Sequence, residues 1–458
     1  MKILRLLPPA AASLAALVLV APPSAWAWVS TGWSLDVTQR DVRVFNNFTD
    51  TEANDNQTLD ANFPGRFGAE MAIWKASVEW GSELHGDGQG DPGQGGGLGS
   101  GGANFDATFQ GSALSAGQVG DNTHSELTGC AGGVLAFTQS FVDGTGWRTF
   151  YYQCWIWVDG PEQNWTPKTG YYDLQGIATH EYGHALGLGH STDPLATMFP
   201  TPPSNGRTWR SLNSDDVAGI QAIYGVKDPN KPVIRGASVN GSTLTIGGSS
   251  FASVGNEVWF TQRAPGGNGD PVKSLMVESS VGGTLLDIQI PSEAGSGDVL
   301  IYTTLGDGET LSNAWPFESQ PSGCPAPLNY CDALPNSSGT PSVMGAISSQ
   351  SVAANDTTLY SAGSPADSFG IFFYSPTSGH LPVGDGLICL GGPFFRLSAV
   401  QADATGRALL PLDLTMPPKP GGQITSGSVW HFQWWYRDVP GGPSGYNFSD
   451  ALRLPFCD

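Results

Sequence analysis

Three histidines and a glutamate share eleven residues of this chain, His180-Glu181-Tyr182-Gly183-His184-Ala185-Leu186-Gly187-Leu188-Gly189-His190. His180 and His184 are four apart, so on a helix their imidazoles lie one turn apart on one face and can bind the same metal ion. Glu181 projects from nearly the same face, close enough to take a proton from a metal-bound water while staying out of the ligand set. A third ligand must come from outside the helix. Gly187 supplies the turn, because glycine readily takes the left-handed conformation that ends a helix sharply, and His190 then swings back to the metal. Three neutral nitrogens leave a fourth position open to water, which separates a catalytic zinc site from a closed structural one. The expectation is one catalytic zinc ion on His180, His184 and His190, with Glu181 as general base.

The elements that must position these groups also show in the pattern. Asp173 stands where it can cap the metal-binding helix, with Leu174, Ile177 and Leu188 available for its core side. A later helix can be capped by Asn213 or Ser214, carries Val217, Ile220 and Ile223 or Tyr224 as a buried stripe, and is stopped by Gly225. Phe67, Met71, Trp74 and Val78 fall on one face of an earlier helix. Residues 37–45, 133–141 and 149–159 read as strands, with Cys130 and Cys154 placed to staple the last two. Residues 86–102 are mostly glycine and read as a loop with no means of burying itself.

The pattern His-Glu-x-x-His-x-x-Gly-x-x-His, followed by the turn Ala196-Thr197-Met198-Phe199-Pro200, resembles the metzincin metallopeptidases. Ser191 directly after the third histidine, that turn, and the helix of residues 212–225 are closest to the matrixins, the matrix-metalloproteinase group. Phe199-Pro200 leaves no tyrosine where astacins and serralysins place an extra zinc ligand. The resemblance is dense from about residue 171 to 225 and thin before. It implies an α+β metzincin (zincin-like) fold and a zinc-dependent endopeptidase acting on protein or peptide substrates. It also implies Met198 as a packing floor beneath the metal and residues 201–212 lining the pocket for the side chain after the scissile bond. The strand of residues 149–159 would lie near the cleft, where an edge strand can bind an extended peptide through its main chain.

The chain also departs from that family. No cysteine lies between Ala27 and the first expected strand, so thiol-based latency is not expected. His85-Gly86-Asp87 resembles part of a second, structural zinc site, but Phe137 and Tyr152 stand where later histidines would be. His124 is a substitute by residue type, although a lone loop histidine is ordinarily solvated. Asp87, Asp91, Asp106 and Asp121 could supply calcium ligands, with solvated loop acids the preferred reading.

Composition frames the rest. At 458 residues, with 62 glycines, 34 prolines and only 13% charged residues, the chain favours several domains rich in short strands. Residues 1–27 read as a secretory signal, with Lys2 and Arg5, an apolar run and Ala25-Trp26-Ala27 as cleavage site, and no other stretch is apolar enough to span a membrane. A secreted, extracellular location follows. Acidic residues outnumber basic ones 41 to 20, which argues against nucleic acid as a partner. Six cysteines in an exported chain suggest three disulfides, and proximity pairs Cys130 with Cys154, Cys324 with Cys331, and Cys389 with Cys457.

The expected architecture is multidomain. A catalytic domain (28–226) and a linker (227–231) precede a β-sandwich (232–318), a second linker (319–328) and a C-terminal β-rich domain (329–458). Pro232-Val233-Ile234 and Leu244-Thr245-Ile246-Gly247-Gly248-Ser249-Ser250-Phe251 resemble immunoglobulin-like IPT/TIG domains. Trp430, Phe432, Trp434 and Tyr436 share one strand face and read as sandwich core in preference to a sugar-binding platform. The competing reading is an adhesion or matrix-binding protein with a vestigial peptidase domain, whose β domains hold a cell-surface, matrix or polysaccharide ligand.

Overall fold

A computed structural model describes residues 27–88, 94, 96–117, 121–141, 146–160, 169–263, 268–303, 310–319 and 323–458. The signal reading, apart from Ala27, lies outside these residues, as do Asp91 and much of the glycine-rich segment. No helix among the described residues is long and apolar enough to cross a membrane.

The first unit mixes helices and strands. Strands β1 (Asp41–Phe45), β2 (Thr108–Ser112), β3 (Thr123–Leu127), β4 (Ala136–Phe141) and β5 (Gly146–Tyr152) form one sheet in the order β2-β1-β3-β5-β4. All neighbours are parallel except β4, which runs antiparallel along the edge. Residues 37–39, expected as strand, instead form a short helical turn, because the Asp36 carboxylate accepts the Thr38 amide and Gln39 reaches back to the Asp36 amide. The expected strand 149–159 is likewise broken: a turn at Tyr152–Trp155 separates β5 from Ile156–Val158.

Helix α1 (Gly68–Val78) packs against helix α2 (Leu174–Ala185). Every residue of α1 except Glu70 is buried, so it is not the one-faced helix the pattern suggested. It lies between the sheet, α2 and the next unit, and its whole circumference is used. Trp74, Trp80, Trp147, Trp157 and Tyr182 fill the core, with Trp80 Nε1 donating to the Thr179 carbonyl on α2. Helix α3 (Ser214–Tyr224) is capped by Asn213, with Asp216 completing the capping box.

Two four-stranded antiparallel sheets follow, one containing β6 (Asn256–Gln262) and β7 (Ala294–Tyr302). Ile234, Leu244, Ile246, Val258, Phe260, Leu286 and Ile301 meet between the sheets, as in a sandwich. This unit is bolted to the first. Asp298 on β7 is fully buried and accepts the Trp74 indole N–H at 2.8 Å and contacts His85 Nε2 at 2.8 Å. Thr261 Oγ donates to the Phe109 carbonyl at 2.6 Å, and Lys231 pairs with buried Asp106 at 2.6 Å.

The last unit pairs a five-stranded sheet with a three-stranded one. The larger sheet contains β8 (Phe369–Ser375), β10 (Phe395–Gln401), β11 (Val429–Arg437) and β12 (Tyr446–Pro455), and a hairpin of Ser378–Val383 with β9 (Gly386–Leu390) lies beside it. Trp430, Phe432, Trp434 and Tyr436 are all buried between the two sheets, which makes them core and not a platform.

Cys130 pairs with Cys154 as expected, but Cys324 pairs with Cys457 and Cys331 with Cys389. Nearness in sequence misled because Leu328–Tyr330 runs antiparallel to β12, carrying Cys324 toward the far end of that strand.

Candidate active site

Helix α2 presents His180 and His184. Asp173 caps it, its carboxylate accepting the Gly176 amide at 2.8 Å. Gly187 follows the helix at φ +98°, and a Cβ there would stand 2.2 Å from the Trp33 carbonyl oxygen, so both conformation and space demand glycine. The chain turns at Leu186 and Gly187, runs extended through Leu188 and Gly189 beside Val29–Ser30, and brings His190 to face the pair. Ligating atoms of His180, His184 and His190 lie within 4.8 Å of one another, the one such cluster of three among the described residues.

Each helical imidazole is oriented from behind. His180 Nδ1 lies 2.6 Å from the Thr197 carbonyl and His184 Nδ1 lies 2.8 Å from the Leu188 carbonyl. An Nδ1–H donated to each carbonyl leaves Nε2 as a lone-pair donor aimed at the shared centre. Burial holds His180 and His184 below the ordinary imidazole range, and His190, exposed at the cleft but partly desolvated, is lowered as well. Three neutral nitrogens in this arrangement fit a tetrahedral zinc ion with one position left over.

Glu181 is buried beside them. Burial pushes its carboxyl up to about 7, opposed by a bond from Thr138, whose Oγ lies 2.9 Å from Glu181 Oε2 and 2.9 Å from the Glu181 carbonyl. Thr138 Oγ is also 2.8 Å from Thr149 Oγ on β5. Thr138 sits on β4, the edge strand, and was not legible as a site residue because nothing local links it to the helix.

Met198 lies under α2. A Cβ on Gly183 would come within 2.3 Å of its sulfur, so the glycine between the two helical histidines is what lets the methionine turn approach. Asp216 fixes that turn by accepting the amides of Thr197 at 2.7 Å and Met198 at 3.0 Å. Its neighbour Asp215 accepts the Ser191 hydroxyl at 2.7 Å.

The cluster opens on a cleft of about 740 Å³. One wall is β4 with the residues leading into it, which corrects the expectation that the strand after Thr149 would border the cleft: β5 is interior, paired on both sides. The other wall is Pro200, Thr201, Pro202 and Trp209, within the expected stretch 201–212 but for Pro200. Trp209 stacks on His180 at 4.5 Å, and its neighbour Arg210 bonds Asp173 through Nε at 2.9 Å and Nη2 at 2.5 Å. The cap of α2 therefore also anchors the cleft wall.

The remaining metal candidates are dispersed. His85 is committed to Asp298, and Asp87 accepts the Asn62 side-chain amide at 2.6 Å. Asp106 is not a solvated loop acid but a buried partner of Lys231 and Ser82. Asp121 lies 4.0 Å from Arg43. His124 is not in a loop: it lies on β3, fully buried, with Nδ1 2.9 Å from the Tyr151 hydroxyl.

Residues 125–225 match the family described as Matrixin. Human matrix metalloproteinase-20 is 51% identical over 63 residues, 14% of this chain and 13% of that protein. Matrix metalloproteinase-27 of Tupaia belangeri is 47% identical over 73 residues, 16% and 14% respectively. Human neutrophil collagenase is 46% identical over 72 residues, 16% and 15%. The chain thus spans about one seventh of the length of these relatives.

Proposed function

We propose that this protein is an exported zinc-dependent endopeptidase. It would consist of a peptidase domain at residues 28–226 and two β domains at 232–318 and 329–458. The matrixin match over residues 125–225 supports a metallopeptidase, and the three disulfides fit an oxidising compartment. One observation carries the chemistry. Three neutral imidazoles, two of them oriented by carbonyls, converge beside a buried glutamate, at the floor of a cleft bordered by an antiparallel edge strand.

His180, His184 and His190 would hold the zinc ion. When bound, it supplies Lewis acidity, making a coordinated water more acidic and polarising a carbonyl. Glu181 accepts the proton of the attacking water on its carboxylate and returns it to the nitrogen of the leaving amine. Thr138 orients that carboxylate through Oε2. Met198 stays a packing floor. The main chain of β4 pairs with an extended substrate, and the wall of Pro200, Pro202 and Trp209, with Tyr172 and Ile177, favours an apolar side chain after the scissile bond.

The test is cleavage of a mixed peptide library by the full chain, with and without a zinc chelator, beside the Glu181→Gln variant. Chelator-sensitive cutting that disappears in a variant still holding zinc is the expected result. One zinc per chain with no cleavage of any peptide overturns the reading in favour of an adhesion protein with a vestigial site.

A further inference from the structure

The five-stranded sheet of the last unit is apolar on both faces. Antiparallel sheets ordinarily turn one face to the core and a polar one to water. Here Phe372, Tyr374, Phe432 and Trp434 fill the inner face, while Ile371, Phe373, Trp435 and Phe448 point the other way. The hairpin ending in β9 covers part of that outer face, leaving a concavity of about 300 Å³ floored by this row and flanked by Phe394, which is 44% exposed.

Strand pairing builds this row. Phe448 lies opposite Trp435, and Trp435 opposite Ile371. Between Ile371 and Phe373 the pairing with β10 slips by one residue, so that Phe373 faces Arg396. A bulge of this kind re-aims side chains, and it delivers Arg396 to the rim of the apolar hollow. Arg396 is exposed and has no acidic or hydrogen-bonding partner among the described residues. In a chain with formal net charge −21, an unpaired guanidinium at the mouth of an aromatic pocket is out of keeping with its surroundings.

We propose that this pocket binds a peptide chain end: the side chain of an aromatic or bulky apolar C-terminal residue, with its α-carboxylate on Arg396. A guanidinium is the group best shaped to take a carboxylate through two parallel bonds. The volume is at the small end for ligand sites, which suits one side chain better than a long acyl chain. A sugar fits poorly, because Arg396 and the Trp435 indole are the only side chains on the lining with hydrogen-bonding groups, and neither can accept.

Ligand-observed NMR titration of the full chain tests this with four probes: N-acetylphenylalanine, its primary amide, decanoate and chitohexaose. The acid is expected to bind about tenfold more tightly than the amide, the size of one charge-assisted bond. Arg396→Gln should erase that preference, and Phe394→Ala should weaken both acid and amide. Equal binding of acid and amide, or an acid preference that survives Arg396→Gln, overturns the proposal, as does failure of the acid to bind. Tighter binding of decanoate would make the pocket a lipid site, and binding of chitohexaose alone a carbohydrate site. Either result excludes the chain-end assignment. None of these readouts depends on peptidase activity.

Discussion

The histidines of the cleft and those behind it began with the same chemical capacity and ended differently. His180, His184 and His190 each keep a nitrogen facing an open cavity, with two of them steered by carbonyls. His85 and His124, buried in the same unit, have been absorbed into the packing, one against Asp298 of the following unit and the other against Tyr151. The difference lies in the surroundings. An imidazole becomes available to a metal when one nitrogen is satisfied by the protein and the other converges with like atoms on accessible space. A histidine that serves as a domain fastener has no such freedom.

The contrast can be broken at either end. The largest effect should come from His184→Ala, which removes a converging nitrogen: bound zinc measured by metal analysis should drop and peptide cleavage fall to background, with the fold intact by circular dichroism. Asp298→Ala should do the reverse. It strands the buried Trp74 indole and His85 ring and should cost about 3 kcal/mol in denaturant unfolding, while zinc content stays at one per chain. Loss of zinc without loss of stability in that variant would contradict the division.

His124 sharpens the comparison through pH. Burial lowers its pKa to about 3, against 6.5 in the unfolded chain. The folded state therefore binds fewer protons across that window, and the contribution of His124 to stability is complete above pH 6.5 and is lost as pH falls toward 3. His124→Gln should flatten the decline of unfolding free energy between pH 6.5 and 4. An unchanged slope would show that other groups set it. The smallest effect should be Thr138→Val, which keeps the branched shape but deletes the bond to Glu181. A roughly tenfold fall in kcat at unchanged zinc content is expected.

What was legible in the sequence was local. The spacing of His180 and His184, the turn at Gly187 and the cap at Asp173 lie within a few dozen residues and follow from helix geometry, while the methionine turn was legible only through the family resemblance. What was hidden depends on distant strands. Thr138 reaches Glu181 across 43 residues, Asp298 reaches His85 across 213, and no periodicity announces either. The second and third disulfides failed for the same reason, since cysteines pair by sheet order and not by chain distance. The aromatic strand 429–437 shows the intermediate case: alternation identified its core face correctly but said nothing of Trp435 on the other side.

The Cys324–Cys457 bond has a mechanical meaning. It joins two cysteines 133 positions apart into one covalent ring, with its two ends side by side. A pull applied across the last unit would pass through the sulfurs and bypass the sheets, withholding roughly 450 Å of contour length from extension. A cut anywhere within the ring would change the mass on a reducing gel yet leave both pieces linked without reductant, so the unit should tolerate nicks in its own loops without being shed.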